Sequence, residues 1–225
     1  RSVHIPAALL KSIVIKGMPL LINEALWALG MAMISQCYSV RGLDVVAGMN
    51  IATTLNNLAS VMMITMGNTV GIIVGQMLGA GKSEKEDRDT DNKLIALSIV
   101  SCLVFAGAMA SISGVFPRIY NTTDQVRYLA TRFIWICAIM MPFNAYCNAA
   151  YFTLRSGGQT LVTFLFDSCF VWVCSVPLAF CLSRFSAVPI IPLYAICASM
   201  DLLKCVIGFV MIRRGTWIQN LAKNA

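Results

Sequence analysis

Six stretches of the chain are long, apolar and nearly free of charge, and short polar segments separate them. They run from Gly17 to Tyr38, Gly48 to Leu78, Leu94 to Phe116, Phe133 to Phe152, Leu161 to Leu182 and Val188 to Ile212. A helix needs about 20 mostly apolar residues to cross a bilayer, so each stretch predicts one crossing. Residues 45–81 carry no charge at all, which predicts a long or tilted second helix. We therefore expect an all-α, polytopic membrane protein with a six-helix transmembrane bundle.

Composition supports a membrane protein and argues against nucleic-acid binding. Hydrophobic residues make up 58% of the 225 residues and charged residues only 12%, whereas an ordinary soluble domain has about 25% charged residues. The net charge is +7, but the basic residues lie between apolar runs and are not interleaved with stacking aromatics. We expect membrane lipid as a partner and no nucleic acid.

The distribution of Lys and Arg predicts the orientation. With both termini in the cytoplasm, five of the 17 basic residues lie in outer segments, one (Lys204) lies inside a span, and eleven are cytoplasmic: Arg1, Lys11, Lys16, Lys82, Lys85, Arg88, Lys93, Arg155, Arg213, Arg214 and Lys223. Cytoplasmic loops of membrane proteins carry the excess of basic residues. This predicts a multi-pass protein with both termini in the cytoplasm, and we expect it in the cell (inner) membrane.

The same pattern divides the chain into three parts. Residues 1–16 are predicted to form a cytoplasmic linker, residues 17–212 the transmembrane lobe and residues 213–225 a cytoplasmic tail. Residues 82–93 contain five acids and four bases. Such a mixed charge run predicts a solvated helical connector between the second and third spans.

The residue types needed for enzymatic chemistry are scarce. The chain has a single histidine, and its nine cysteines form no CxxC pair and lie in or beside apolar runs, as expected of small residues packed between helices. A hydrolytic triad or a zinc site usually needs more histidines, or more closely spaced cysteines, than this chain has. We expect a protein that is not an enzyme and needs no cofactor.

Three acids lie within apolar spans, namely Glu24, Asp167 and Asp201. A carboxylate at the bilayer centre costs roughly 2.5–3.5 kcal/mol on insertion scales, so its presence there usually marks a functional site. Glu24 is eight residues beyond Lys16, or about 12 Å into the membrane at the helical rise of 1.5 Å per residue.

The neighbours of Glu24 predict a cation site. Asn23 precedes it and Trp27 follows at i+3, on the same side of the helix. A proton and either Na⁺ or an organic cation would compete for one carboxylate, because each neutralises its charge. This competition predicts antiport, with Na⁺ at Glu24 as the one metal ion considered. A structural acid that bonds to a neighbouring helix is the alternative.

The other polar residues of the spans have two interpretations each. Asp167 lies at a depth similar to that of Glu24, so it would either share the cavity or pair with a helix terminus. Asp201 has Lys204 at i+3, which predicts a structural ion pair on one helix. Asn144 and Asn148 share a face at i, i+4 and would either line the cavity or bond between helices.

Four glycines recur every four residues in the second span, at Gly67, Gly71, Gly75 and Gly79. One face of this helix therefore lacks side chains. Glycine faces let two helices approach closely in lipid, so we expect helix packing here, with room for a neighbouring helix to slide as the alternative.

The order and spacing of several short motifs resemble those of the multidrug and toxic compound extrusion (MATE) transporters. The motifs are Pro19 with Asn23-Glu24-x-x-Trp27, Gly75-Gln76 leading to Gly79-Ala80-Gly81, Leu154-Arg155-x-Gly157-Gly158-x-Thr160, and Asp167 with Trp172 and Pro177-Leu178. The resemblance extends over nearly all of residues 16–214.

The resemblance implies the carboxy-terminal lobe of a twelve-helix fold in which two six-helix lobes form a parallel repeat. Members exchange Na⁺ or H⁺ for cationic, lipophilic compounds, and Glu24 matches an acid associated with coupling. Asn144 stands where many members have an aspartate, which departs from the usual two-acid site. The chain lacks an initiator Met, so we expect an amino-terminal lobe to precede it as a partner.

Two other functions fit parts of the sequence. A lipid-linked oligosaccharide flippase of a related superfamily would have a similar helix count, but it needs a strongly basic central cavity, and the deep charges here are mostly acidic. In a non-transporting membrane assembly protein, Glu24 and Asp167 would only join helices.

Overall fold

The computed structural model describes residues 7–81, 83–158, 160–215 and 217–218. Within these ranges the chain is helical and contains no β-strand. Its α-helices are α1 (Ala7–Ser39), α2 (Leu43–Ala80), α3 (Glu84–Ile112), α4 (Asp124–Ser156), α5 (Thr160–Phe164), α6 (Val176–Phe185) and α7 (Ile190–Arg214). A 3₁₀ turn, Phe116–Ile119, precedes α4, and two π-helical turns, Leu165–Cys169 and Val171–Ser175, join α5 to α6.

The described residues contain six helical spans that are long and apolar enough to cross a membrane, which confirms the predicted all-α lobe. The fifth of them, Val162–Phe185, runs through both π-helical turns. The second has 38 residues and is long, as its uncharged sequence predicts. The first helix already begins at Ala7, ten residues before the predicted span, so Pro19 lies inside α1.

Helix α4 is at the centre of the bundle. It packs against α2, α3 and α7, whereas α1 packs chiefly against α6 and the π-helical turns. The largest core cluster lies between α2, α3 and α4 and includes Leu55, Cys102, Phe133, Ile134 and Met141. Residues of α4 therefore contact the deep polar groups of α1 and α3.

The predicted connector at residues 82–93 is helical but only partly solvated. Ser83 caps α3 by accepting a hydrogen bond from the amide of Glu86. Asp87 and Asp91 are buried, so the prediction of a solvated connector is wrong for these two acids. They are four residues apart on the face that continues into the buried Ile95, and one Asp91 carboxylate oxygen accepts a 2.7 Å hydrogen bond from the Thr153 hydroxyl of α4.

The glycine face of α2 has two different halves. A Cβ added at Gly67 would collide with the side chains of Asn148 and Phe152, and one at Gly71 would press on Phe152. At Gly75 and Gly79 it would meet no atom of the described residues within 4 Å. Close packing against α4 therefore explains the first two glycines and leaves the other two on an open surface.

Alanine substitution separates these halves. Gly67→Ala forces Phe152 and Asn148 to move and should destabilise the chain by about 1–3 kcal/mol, as overpacking does. Gly75→Ala has open space and a better helix former, so it should be neutral or stabilising by up to about 1 kcal/mol. Thermal unfolding of both variants in detergent measures the difference, and equal effects would contradict the assignment of Gly67 to a packed interface.

Candidate intramembrane cation site

Asn23 holds three helices together beneath Glu24. Its side chain is buried, and its carbonyl oxygen accepts a 2.6 Å hydrogen bond from the Ser168 hydroxyl of the fifth span. The same hydroxyl lies 2.8 Å from the Asn23 main-chain oxygen. The Asn23 amide nitrogen donates to the phenol oxygen of Tyr151 in α4 at 3.3 Å. This network fixes α1 against α4 and the fifth span at the level of Glu24.

Glu24 reaches towards α4 but is held loosely. Its carboxylate oxygen lies 3.5 Å from the Tyr151 hydroxyl, which donates, and 3.9 Å from a guanidinium nitrogen of Arg155. Both distances are at the long end for a hydrogen bond and an ion pair, and 56% of the Glu24 side chain is exposed. The carboxylate thus faces polar groups while keeping room for another ligand.

Its partners belong to one polar stripe of α4. Asn144, Asn148, Tyr151 and Arg155 follow each other at i, i+4, i+7 and i+11 and so share one helix face. Arg155 also lies 5.9 Å above the Tyr151 ring, which keeps its guanidinium beside the stripe. The stripe extends from the end of α4 into the middle of the lobe.

Asp167 forms an ion pair with Lys204, a partner that was not predicted from the sequence. The Lys204 ammonium of α7 lies 2.9 Å from its carboxylate, and the two side chains are only 11% and 18% exposed for Lys204 and Asp167 respectively. The same ammonium is 5.6 Å from the Phe166 ring and 5.8 Å from the Phe170 ring. Lys204 therefore pairs across helices with Asp167, and the predicted pair with Asp201 is wrong because the fifth span brings a closer carboxylate.

The remaining predicted site residues lie around this arrangement. Trp27 is 40% exposed on α1. Asn144 and Asn148 are half-buried on α4, and the Asn148 side-chain oxygen faces Gly67 with no hydrogen-bond partner among the described residues. Asn23 and Glu24 meet α4 directly, and Ser168 connects them to the helix that carries Asp167.

Sequence reasoning missed four residues of this arrangement. Tyr151 and Arg155 contact Glu24, Lys204 contacts Asp167, and Ser168 bonds to Asn23. For Tyr151 and Arg155 a signal existed, because they continue the spacing of Asn144 and Asn148 along one helix face. Arg155 was counted only as a loop charge. Ser168 carries no comparable signal, since a serine in an apolar span usually bonds within its own helix.

Six membrane-spanning helices with paired and half-open carboxylates between them define a polytopic membrane protein with polar sites inside its bundle. The profile of the MatE family matches residues 19–181, well over half of the 225-residue chain. The chain therefore belongs to the MATE family, whose members are transporters of organic substrates and not enzymes. No solved structure matches the chain.

The Asp167–Lys204 pair is expected to be structurally essential. Lys204→Met leaves a carboxylate buried without its counter-ion, which costs about 3–5 kcal/mol of stability. The double variant Asp167→Leu/Lys204→Met removes both charges and should recover most of that loss. Thermal unfolding in detergent measures both.

Lys93→Met is the matched control, because Lys93 pairs with Asp89 on an exposed helix face. An exposed pair contributes little, so this variant should stay within about 1 kcal/mol of the parent. If Lys204→Met is equally mild, then the pair does not hold the fifth span against α7.

Proposed function

We propose that the chain is one half of a secondary active antiporter that exports cationic lipophilic compounds in exchange for Na⁺ or H⁺. Glu24 is the intramembrane carboxylate at which these cations displace one another. Asn23 and Trp27 shape the site, and Asn144 and Asn148 line the approach along α4. The half-open position of the Glu24 carboxylate, between Tyr151 and Arg155, is the observation that carries this proposal.

Arg155 acts in this proposal as a resident counter-ion. At 3.9 Å and partly exposed, its pair with Glu24 is weak enough for an incoming cation to replace it. The Tyr151 and Phe152 rings, 5.9 and 5.8 Å away, offer the guanidinium an alternative position through cation–π contact. The carboxylate is thereby neutralised whether a transported cation is bound or absent.

Asp167 has a secondary role in the same mechanism. Its ion pair with Lys204 is short and shielded, so a cation reaches Asp167 only after Lys204 moves away. Glu24 is the better first binding group because its partners lie farther off. Ser168 and Asn23 link the two acids mechanically, since any shift of the fifth span pulls on the residue next to Glu24.

The protein is proposed to lie in the cell (inner) membrane with both termini in the cytoplasm, paired with an amino-terminal six-helix lobe. The flippase alternative is less favoured because the deep basic group, Lys204, is already neutralised by Asp167. The assembly alternative explains the Asn23 network but gives no reason for a loosely held carboxylate beside it.

Fluorescence of Trp27 tests the cation site. Binding of tetraphenylphosphonium to the purified chain in nanodiscs should quench Trp27, which lies at i+3 from Glu24, and either Na⁺ or acid should reverse the quenching. The contribution of Trp27 is the part of the fluorescence change that is absent in the Trp27→Phe variant. In Glu24→Gln it should vanish, because the carboxylate that attracts the cation is gone.

Asp44→Asn is the control, since Asp44 is an exposed acid in the first turn of α2. This variant should respond as the parent does. An unchanged Trp27 response in Glu24→Gln would remove Glu24 from the mechanism and favour a purely structural acid. Reversal by Na⁺ at constant pH, or by acid without Na⁺, identifies the coupling ion.

A further inference from the structure

A cavity of about 750 Å³ lies where α3 ends and α4 begins, at the opposite end of the bundle from Arg155. Three arginines line it, namely Arg118, Arg127 and Arg132, together with one acid, Asp124. The cavity is large enough for a small-molecule headgroup with its hydration water. It belongs to neither the Glu24 site nor the Asp167–Lys204 pair.

The arginines of the cavity are not balanced by acids. Asp124 pairs with Arg127 at 3.0 Å, and a second Arg127 nitrogen donates to the main-chain oxygen of Tyr120 at 3.3 Å. The Nε of Arg127 is buried without a hydrogen-bond partner in the described part of the chain. Within the same residues, no carboxylate forms an ion pair with Arg118 or Arg132. Among the described residues, the cavity thus offers two guanidinium groups that no carboxylate neutralises.

The surroundings of the cavity match a membrane boundary. Tyr128 and Trp135 line it and are about half-exposed, as aromatic residues are at the headgroup level of a bilayer. Arg132 lies 5.1 Å above the Tyr128 ring, which orients its guanidinium. Ile119, beside Arg118, is 75% exposed and needs acyl chains to cover it. Phosphate groups and acyl chains would therefore meet here.

We propose that this cavity binds the phosphate of an anionic phospholipid headgroup. Guanidinium groups match phosphate oxygens with paired, charge-assisted hydrogen bonds. Arg118 and Arg132 contact the phosphate. The acyl chains lie along the exposed apolar side chains at this end of the bundle.

Quenching of Trp135 by brominated lipid tests the site, because Trp135 lines the cavity. The purified chain in neutral detergent is titrated with short-chain phosphatidylglycerol that carries brominated acyl chains, and Trp135→Phe identifies the Trp135 component. Each Lys or Arg near an anionic lipid surface adds to the binding free energy, and the loss of two should weaken lipid binding roughly 30-fold. Arg118→Gln/Arg132→Gln should show this weakening. Arg184→Gln, which removes an exposed arginine that lies 5.6 Å above the Phe180 ring outside the cavity, should bind as the parent does.

Brominated phosphatidylcholine and inorganic phosphate separate the possible sources of the phosphate. Selective quenching by phosphatidylglycerol, lost in the double variant and kept in Arg184→Gln, supports the proposal. Equal quenching by both lipids, or an unaltered double variant, overturns it. If inorganic phosphate at millimolar concentration abolishes the quenching, the cavity binds a free anion and the lipid assignment is wrong. The circular dichroism spectra of the double variant and of the Arg118→Gln and Arg132→Gln single variants should match that of the parent. This excludes loss of fold as the cause of weaker lipid binding.

Discussion

A charged side chain within an apolar helix needs a polar partner inside the bundle, because lipid offers none. This constraint explains how the lobe is tied together at depth. Lys204 of α7 and Asp167 of the fifth span satisfy each other at 2.9 Å. Glu24 meets the same requirement only in part, with Arg155 at 3.9 Å. The Asp167 carboxylate is thus tightly paired and shielded, whereas the Glu24 carboxylate is loosely held and, in the proposed mechanism, open to exchange.

The central position of α4 makes this contrast possible. Tyr151 and Arg155 face α1 from its polar stripe, whereas Thr153 faces α3 and accommodates the buried Asp91. Because α4 contacts α2, α3 and α7, it connects the Glu24 site to the rest of the lobe. In the proposed exchange mechanism, a change of ligand at Glu24 would be passed on through α4.

The six spans could be predicted from the sequence, because stretches of this apolar length are stable as helices only in a bilayer. The family could be predicted too, because its motifs occur in the same order. The sequence also singled out Glu24 and Asp167 as charges that need an explanation. The sequence could not show which charged residues pair with each other. Lys204 is three residues from Asp201, yet it pairs with Asp167, 37 residues away along the chain. The burial of Asp91 was hidden by the charge of its neighbours, although its spacing to Ile95 marks the inward face.

The proposed exchange depends on competition between Arg155 and transported cations for the Glu24 carboxylate. Isothermal titration of tetraphenylphosphonium into the Arg155→Gln chain examines this directly. Removing the resident guanidinium should leave Glu24 with one competitor fewer, so binding should become several-fold tighter than in the parent. Unchanged or weaker binding in Arg155→Gln would contradict this competition, because Arg155 would then either have no effect on the site or contribute to cation binding.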